Sequence, residues 1–227
     1  MAKLRKRLSA EDRRKLIVQT AIELFSQRGF RDTRVVDIAE KVGTSDALVF
    51  QHFPTKRDLY DAILDEMCAR RHFTEIEELL YYAEGYDLAD VLTRLSAWVL
   101  SETEREPAWL RLILYAALEG NDAAPQLLDE HFRRIVDYVA FEIAEAQAKG
   151  HFRAGDPQRY AREFFAGLLG LATMRTIARD ATYRNDDIRA VAATHVSVFL
   201  GGVAGTEGGK ATGALPKIKP ISRGINQ

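Results

Sequence analysis

With 227 residues, 47% hydrophobic and 29% charged, the chain can hold one large domain or a small domain joined to a larger one around a substantial core, which excludes a wholly disordered protein. No apolar run approaches the ~20 residues that cross a bilayer, so a membrane-spanning reading is excluded as well. The single cysteine, Cys68, cannot form an intramolecular disulfide or a cysteine-based zinc site, and the basic residues 1–7 lead into Ser9-Ala10-Glu11-Asp12 instead of an apolar signal core. A cytoplasmic protein is expected.

The net charge of −1 conceals a division along the chain. Residues 1–60 carry 13 Lys and Arg against 8 Asp and Glu, a net of +5, so the remainder carries −6. A basic first quarter ahead of an acidic bulk suits contact with a polyanion through the N-terminal part alone, because cations that displace condensed counterions supply most non-specific affinity for nucleic acid. Charge by itself leaves open a solvated basic tail.

In chain order the signals are helical throughout. Ser9 to Asp12 can cap a first helix over roughly 10–28, with Ile17, Ala21, Leu24 and Phe25 on one face and Gly29 placed to end it. Thr33 can cap a short second helix to Lys41, stopped at Gly43. A third starts at Thr44 or Ser45 and ends at Phe53, before Pro54. Thr55-Lys56-Arg57-Asp58 is a capping box opening a helix to about residue 71. Longer patterns follow over roughly 74–84, 87–104, 107–119, 122–149, 157–180 and 185–200. Asp156-Pro157 pairs a capping residue with Pro at the first helical position. Residues 201–227, with seven glycines and two prolines, read as a flexible tail. The expected fold is all-α, with an N-terminal three-helix unit over 11–71 and a helical-bundle regulatory and dimerisation domain over 72–200.

Residues 33–53 carry the functional signal, since two helices of about eight residues joined by a glycine turn form a helix-turn-helix unit. Val49 and Phe53 fall at i, i+4 and face the core. Asp46, Ala47, Phe50 and Gln51 are then left on the side that can enter a major groove. An ordinary helical hairpin with a solvated outer face fits the same spacing.

The stretches Arg14-Lys-Leu-Ile-Val-Gln-Thr-Ala-Ile-Glu-Leu-Phe-Ser-Gln-Arg-Gly-Phe, Thr33-Arg-Val-Val-Asp-Ile-Ala-Glu-Lys-Val-Gly-Thr-Ser and Phe50-Gln-His-Phe-Pro-Thr-Lys-Arg-Asp-Leu closely resemble the DNA-binding region of the TetR family of transcriptional repressors, over about residues 11–71. The resemblance implies a homodimer on a palindromic operator, one recognition helix per major groove, released when a small-molecule effector binds the C-terminal domain. It places Thr33 and Lys56 on phosphates at helix N-termini. Thr44 and Ser45 would touch phosphate or cap the third helix. Gln51 is the best base reader, its amide suited to adenine, and His52 could donate to a phosphate. Where many members carry Thr or Ser and then Tyr, this chain has Leu48 and Phe50, which removes two hydroxyl contacts. Phe50 could meet a thymine methyl, and Asp46 could accept from a cytosine amino group or cap its helix. The basic arm, residues 3–7, could follow the minor groove or backbone, or make no contact.

In the C-terminal part, Trp98, Trp109, Leu112, Tyr115, Phe164, Phe165 and Met174 are candidates to line an apolar effector cavity, although any bundle also needs such residues for its core. Tyr160, Leu168, Leu171, Val191, His195 and Phe199 are candidates for a four-helix interface across a two-fold axis, with intramolecular packing as the other reading. Scattered histidines and the lack of a Gly-rich phosphate loop or nucleophile elbow argue against an enzyme, a metal site or a cofactor. A TetR-like DNA-binding protein without an inducer, in nucleoid or division control, is the alternative.

Overall fold

The computed structural model describes residues 9–70, 86–120, 132–178 and 181–204. Ten helices lie in these segments: α1 Ala10–Asp32, α2 Val35–Val42, α3 Asp46–His52, α4 Lys56–Arg70, α5 Leu88–Arg105, α6 Pro107–Leu118, α7 Phe132–Ala148, α8 Pro157–Thr176, α9 Ala181–Arg184 and α10 Ile188–Val203. The described residues form no strand; Phe152 and Ala204 pair in an isolated antiparallel bridge. They divide into two compact units.

The first unit contains residues 9–70 together with 108–120. Local chemistry accounts for several of the helix boundaries. Ser9 caps α1 by accepting from the Asp12 N–H at 3.0 Å. Gly43, at φ 77° and ψ 40°, stops α2 in the left-handed region, and the Thr44 N–H then returns to the Ala39 carbonyl at 2.9 Å. Ser45 accepts from the Leu48 N–H at the start of α3. At α4 the capping box is reciprocal: the Thr55 N–H donates to the Asp58 carboxylate at 2.8 Å and the Asp58 N–H to the Thr55 hydroxyl at 3.1 Å.

Gly29 interrupts the first helix at the expected position. Its backbone, at φ 80° and ψ 177°, kinks the helix, which resumes for a further turn to Asp32. The core behind the kink holds Phe25, Ile38, Val49, Phe53 and Leu59, with Tyr60 edge-on to Phe25 and Phe30. Trp109, Leu112 and Ile113 of α6 belong to the same core. Hence the boundary expected at residue 71 does not hold for residues 108–120: their apolar face is buried among head residues, and they join the first unit.

The second unit, in described residues 86–107, 132–178 and 181–204, packs α5 against α8 and α10, and α7 against α8. Asp87, Asp156 and Asp187 cap α5, α8 and α10 through their carboxylates, with Pro157 at the first turn of α8. A buried guanidinium ties three segments: Arg175 meets Glu104 at 2.7 Å, the Tyr183 carbonyl at 2.7 Å and the Asp186 carbonyl at 3.0 Å. Three boundaries differ from expectation. α8 ends at Thr176, α9 forms a separate short turn, and α10 runs from its Asp187 cap to Val203, past the expected tail start at 201. There the Arg153 N–H donates to the Val203 carbonyl at 2.9 Å. The helix expected over 74–84, the basic arm and residues 205–227 lie outside the described residues, as does the 122–131 part of the helix expected over 122–149.

Candidate nucleic-acid interface

Two short helices meet at Gly43, and their burial pattern sets which side is free. Ile38 and Ala39 of α2 and Val49 of α3 are in the core, with Phe53 closing it. Asp46, Ala47, Phe50 and Gln51 are exposed in consequence, Phe50 to 42%, while Leu48 and His52 are half-buried. A bare benzyl group on the outer face of a two-turn helix has no folding role to explain it. Asp46 accepts from its neighbour's N–H, Ala47, at 2.8 Å. Ser45, exposed, is engaged in capping. Thr44, half-buried, uses its backbone N–H in the α2 stop.

Thr33 departs from expectation. The residue is fully buried, and its hydroxyl donates back into α1, to the Gly29 carbonyl at 2.8 Å and toward the Leu24 carbonyl at 3.3 Å. Arg34, not Thr33, occupies the N-cap of α2, with no side-chain cap bond. The kink at Gly29 frees carbonyls that only a nearby donor can satisfy, so the hydroxyl is not presented at the surface. A Thr before a helix reads as a cap; Gly29 signals the break but not that the Thr33 hydroxyl turns back to it.

Lys56, at the first position of α4, is half-buried. Its ammonium donates to the Arg31 carbonyl at 3.2 Å and lies 4.5 Å from the centre of the Phe30 ring. Burial lowers its pKa below the usual lysine value, opposed by the carboxylates of Glu119 and Asp32. Arg14, which no sequence signal marks as a site residue, brings a further cation to the end of α3: its guanidinium lies 4.9 Å from the centre of the Phe53 ring. On α2 the carboxylate of Asp37 accepts from Arg34 at 2.6 Å and Arg28 at 3.2 Å. The Arg34 hydrogen bond holds its pKa below the usual carboxylate value.

The residues expected around an effector cavity divide between the two units. Trp109 and Leu112 are core of the first unit, and the Tyr115 hydroxyl there donates to the Gln27 carbonyl at 3.0 Å. Trp98, Phe164, Phe165 and Met174 lie in the second unit, where Phe164 and Phe165 are buried edge-to-face and Met174 is exposed. Of the residues expected at a dimer interface, Leu168 is buried within its own unit and Phe199 packs on Phe164. Tyr160, Leu171, Val191 and His195 are half-buried. Helical spacing marks an apolar face without saying what covers it. Leu169 and Val198, outside that expected set, are exposed, Val198 to 71%. Leu171, Val191, His195 and Val198 line an open groove of about 540 Å³ between α8 and α10.

Comparison with known proteins decides the lineage. Residues 17–63 match the family described as bacterial regulatory proteins, tetR family. The nucleoid occlusion factor SlmA of Marinobacter nauticus is 30% identical over 144 residues, 63% of this chain and 70% of its own. The chain belongs to the TetR family. The HTH-type transcriptional regulator YvkB of Bacillus subtilis, itself uncharacterised, is 28% identical over 166 residues, 69% of this chain and 79% of its own. Among solved structures, the TetR-like fold is shared with the transcriptional regulator FadR of Bacillus subtilis in complex with stearoyl-CoA, at 16% identity and a TM-score of 0.63, over 83% of this chain and 98% of that one. This TetR-family chain is thus a DNA-binding transcriptional regulator. Among the described residues no helix is long and apolar enough to cross a membrane.

Proposed function

We propose that the protein is a dimeric cytoplasmic repressor that holds a palindromic operator through paired α3 helices and releases it when a small-molecule effector binds the second unit. The exposed row on α3 carries this reading: four adjacent side chains, Asp46, Ala47, Phe50 and Gln51, face outward on a helix whose inner residue is fully packed. Gln51 reads a base through its amide, Phe50 meets a thymine methyl and Asp46 accepts from a cytosine amino group. Ser45, Thr44, His52 and Lys56 flank the row as backbone contacts. The exposed Val198, which lines the α8–α10 groove, supports a two-fold interface. Trp98, Phe164, Phe165 and Met174 remain the effector candidates in this unit. DNase footprinting across the genomic DNA tests the reading: a protected palindrome is expected, and its release by a small-molecule library identifies the effector. Absence of any protected palindrome overturns it.

The similarity to SlmA supports a second reading, DNA binding without an inducer. Several protected sites scattered over the chromosome, none released by small molecules, would favour it.

A further inference from the structure

The kink at Gly29 is held from outside α1. A helix interrupted at φ 80° leaves carbonyls without partners before the break and N–H groups without partners after it. Residues 88 and 89 positions away meet both needs. The Glu119 carboxylate accepts the Phe30 N–H at 3.0 Å and the Arg31 N–H at 3.1 Å, one on each oxygen, and the Tyr115 hydroxyl donates to the Gln27 carbonyl. Arg31 returns the contact, its guanidinium donating to the Glu119 carbonyl at 2.8 Å. Packing is close enough that a Cβ on residue 29 would lie 2.3 Å from Glu119 Oε1 and 2.8 Å from Tyr115 Cδ1.

The clamped turn is the one that supports the DNA-facing side. Its Phe30 ring and Arg31 carbonyl seat the Lys56 ammonium, and its Gly29 carbonyl anchors Thr33, from which α2 departs. A carboxylate accepting two N–H groups makes charge-assisted bonds, stronger than neutral ones and directional. All of these residues lie in the first unit.

We propose that Glu119, assisted by Tyr115, is a positioning residue for DNA binding: the carboxylate fixes the Gly29–Thr33 turn so that Lys56 and α2 are held in register with the phosphate backbone, without itself touching DNA. The proposal rests on the reading of Lys56 as a phosphate contact. Charge alone predicts the opposite sign for its removal, since deleting an anion from a DNA-binding head should tighten binding. Positioning predicts a loss.

The test uses the full-length protein, a duplex enriched from random sequence by the wild type, and anisotropy over a salt series. Glu119→Ala should weaken binding about tenfold, and Glu119→Gln, which keeps one acceptor oxygen, by less. Lys56→Ala should weaken the wild type and reduce the salt slope, yet add little in the Glu119→Ala background, because the lysine has already lost its seat. Tyr115→Phe removes one hydroxyl and keeps the packing, so it remains informative should Glu119→Ala fail to fold; a loss of about twofold is expected. Unchanged or tighter binding in the Glu119 and Tyr115 variants, or full additivity with Lys56→Ala, overturns the positioning role. No effect of Lys56→Ala on the wild type overturns the phosphate-contact reading as well.

Discussion

The hydroxyl of Thr33 donates to the carbonyl of Gly29 at 2.8 Å, across the kink that separates α1 from its last turn. Thr33 therefore belongs to the folding of the head, and its loss should appear in stability first. Thr33→Val keeps the shape and leaves that buried carbonyl without its donor, which should cost about 1–3 kcal/mol. Thr33→Ser keeps the donor and loses a methyl, at about 1 kcal/mol. Urea unfolding of both variants checks this; a Thr33→Val midpoint equal to that of the wild type would show that the hydroxyl contributes nothing.

The difference between Glu119 and Gly43 shows what is legible in the chain. Gly43, Ser45 and the Thr55–Asp58 pair act over spacings of five residues or fewer, and the structure uses each where the sequence places it. Resemblance to a family adds the identity of the unit. What escaped is set by distant partners: Glu119 reaches Phe30 from 89 positions away, and Trp109 and Leu112 look like candidates for any apolar cavity until their neighbours are known. Periodicity reports that Leu168 faces inward, but not that its own unit is what covers it.

Gln51 is exposed on α3, and its replacement leaves the core untouched. Gln51→Ala should therefore unfold like the wild type while losing discrimination at one base position, by about 1–3 kcal/mol against the wrong base. Selection from random duplexes reads this directly. A uniform loss across all sequences, with the preferred motif unchanged, would assign Gln51 to the backbone.

His195 links α10 to α8: its ring nitrogen lies 3.1 Å from the Phe164 carbonyl, and its Cε1 lies 2.8 Å from where a Cβ on Gly167 would stand. Burial pulls its pKa below the ordinary imidazole value, the hydrogen bond to Phe164 opposing in part. The folded state thus favours the neutral ring. Its contribution to stability is complete above the unfolded pKa of about 6.5 and is lost as pH falls below that value toward the lowered folded one. The urea midpoint should drop more between pH 7.5 and 5.5 in the wild type than in His195→Phe, which keeps a ring and removes the titration. Arg175, Asp186 and Asp187 line the same groove and are common to both proteins, so the difference isolates His195. Parallel pH dependences would assign the acid sensitivity elsewhere.

Val198 is the most exposed large apolar residue of α10, and it borders the α8–α10 groove. A two-fold interface presents every residue twice, so one substitution introduces two charges into the same contact. Val198→Asp should leave the unfolding midpoint close to that of the wild type, because the side chain supports little of its own unit. It should shift sedimentation equilibrium from dimer to monomer. Operator affinity should fall with it, since a palindrome held by one head loses the gain in effective concentration that a linked second head provides. A dimer that persists with Val198→Asp would place the interface on another face of the second unit; a monomer that binds the palindrome as tightly as the wild type would show that pairing of the heads contributes nothing to recognition.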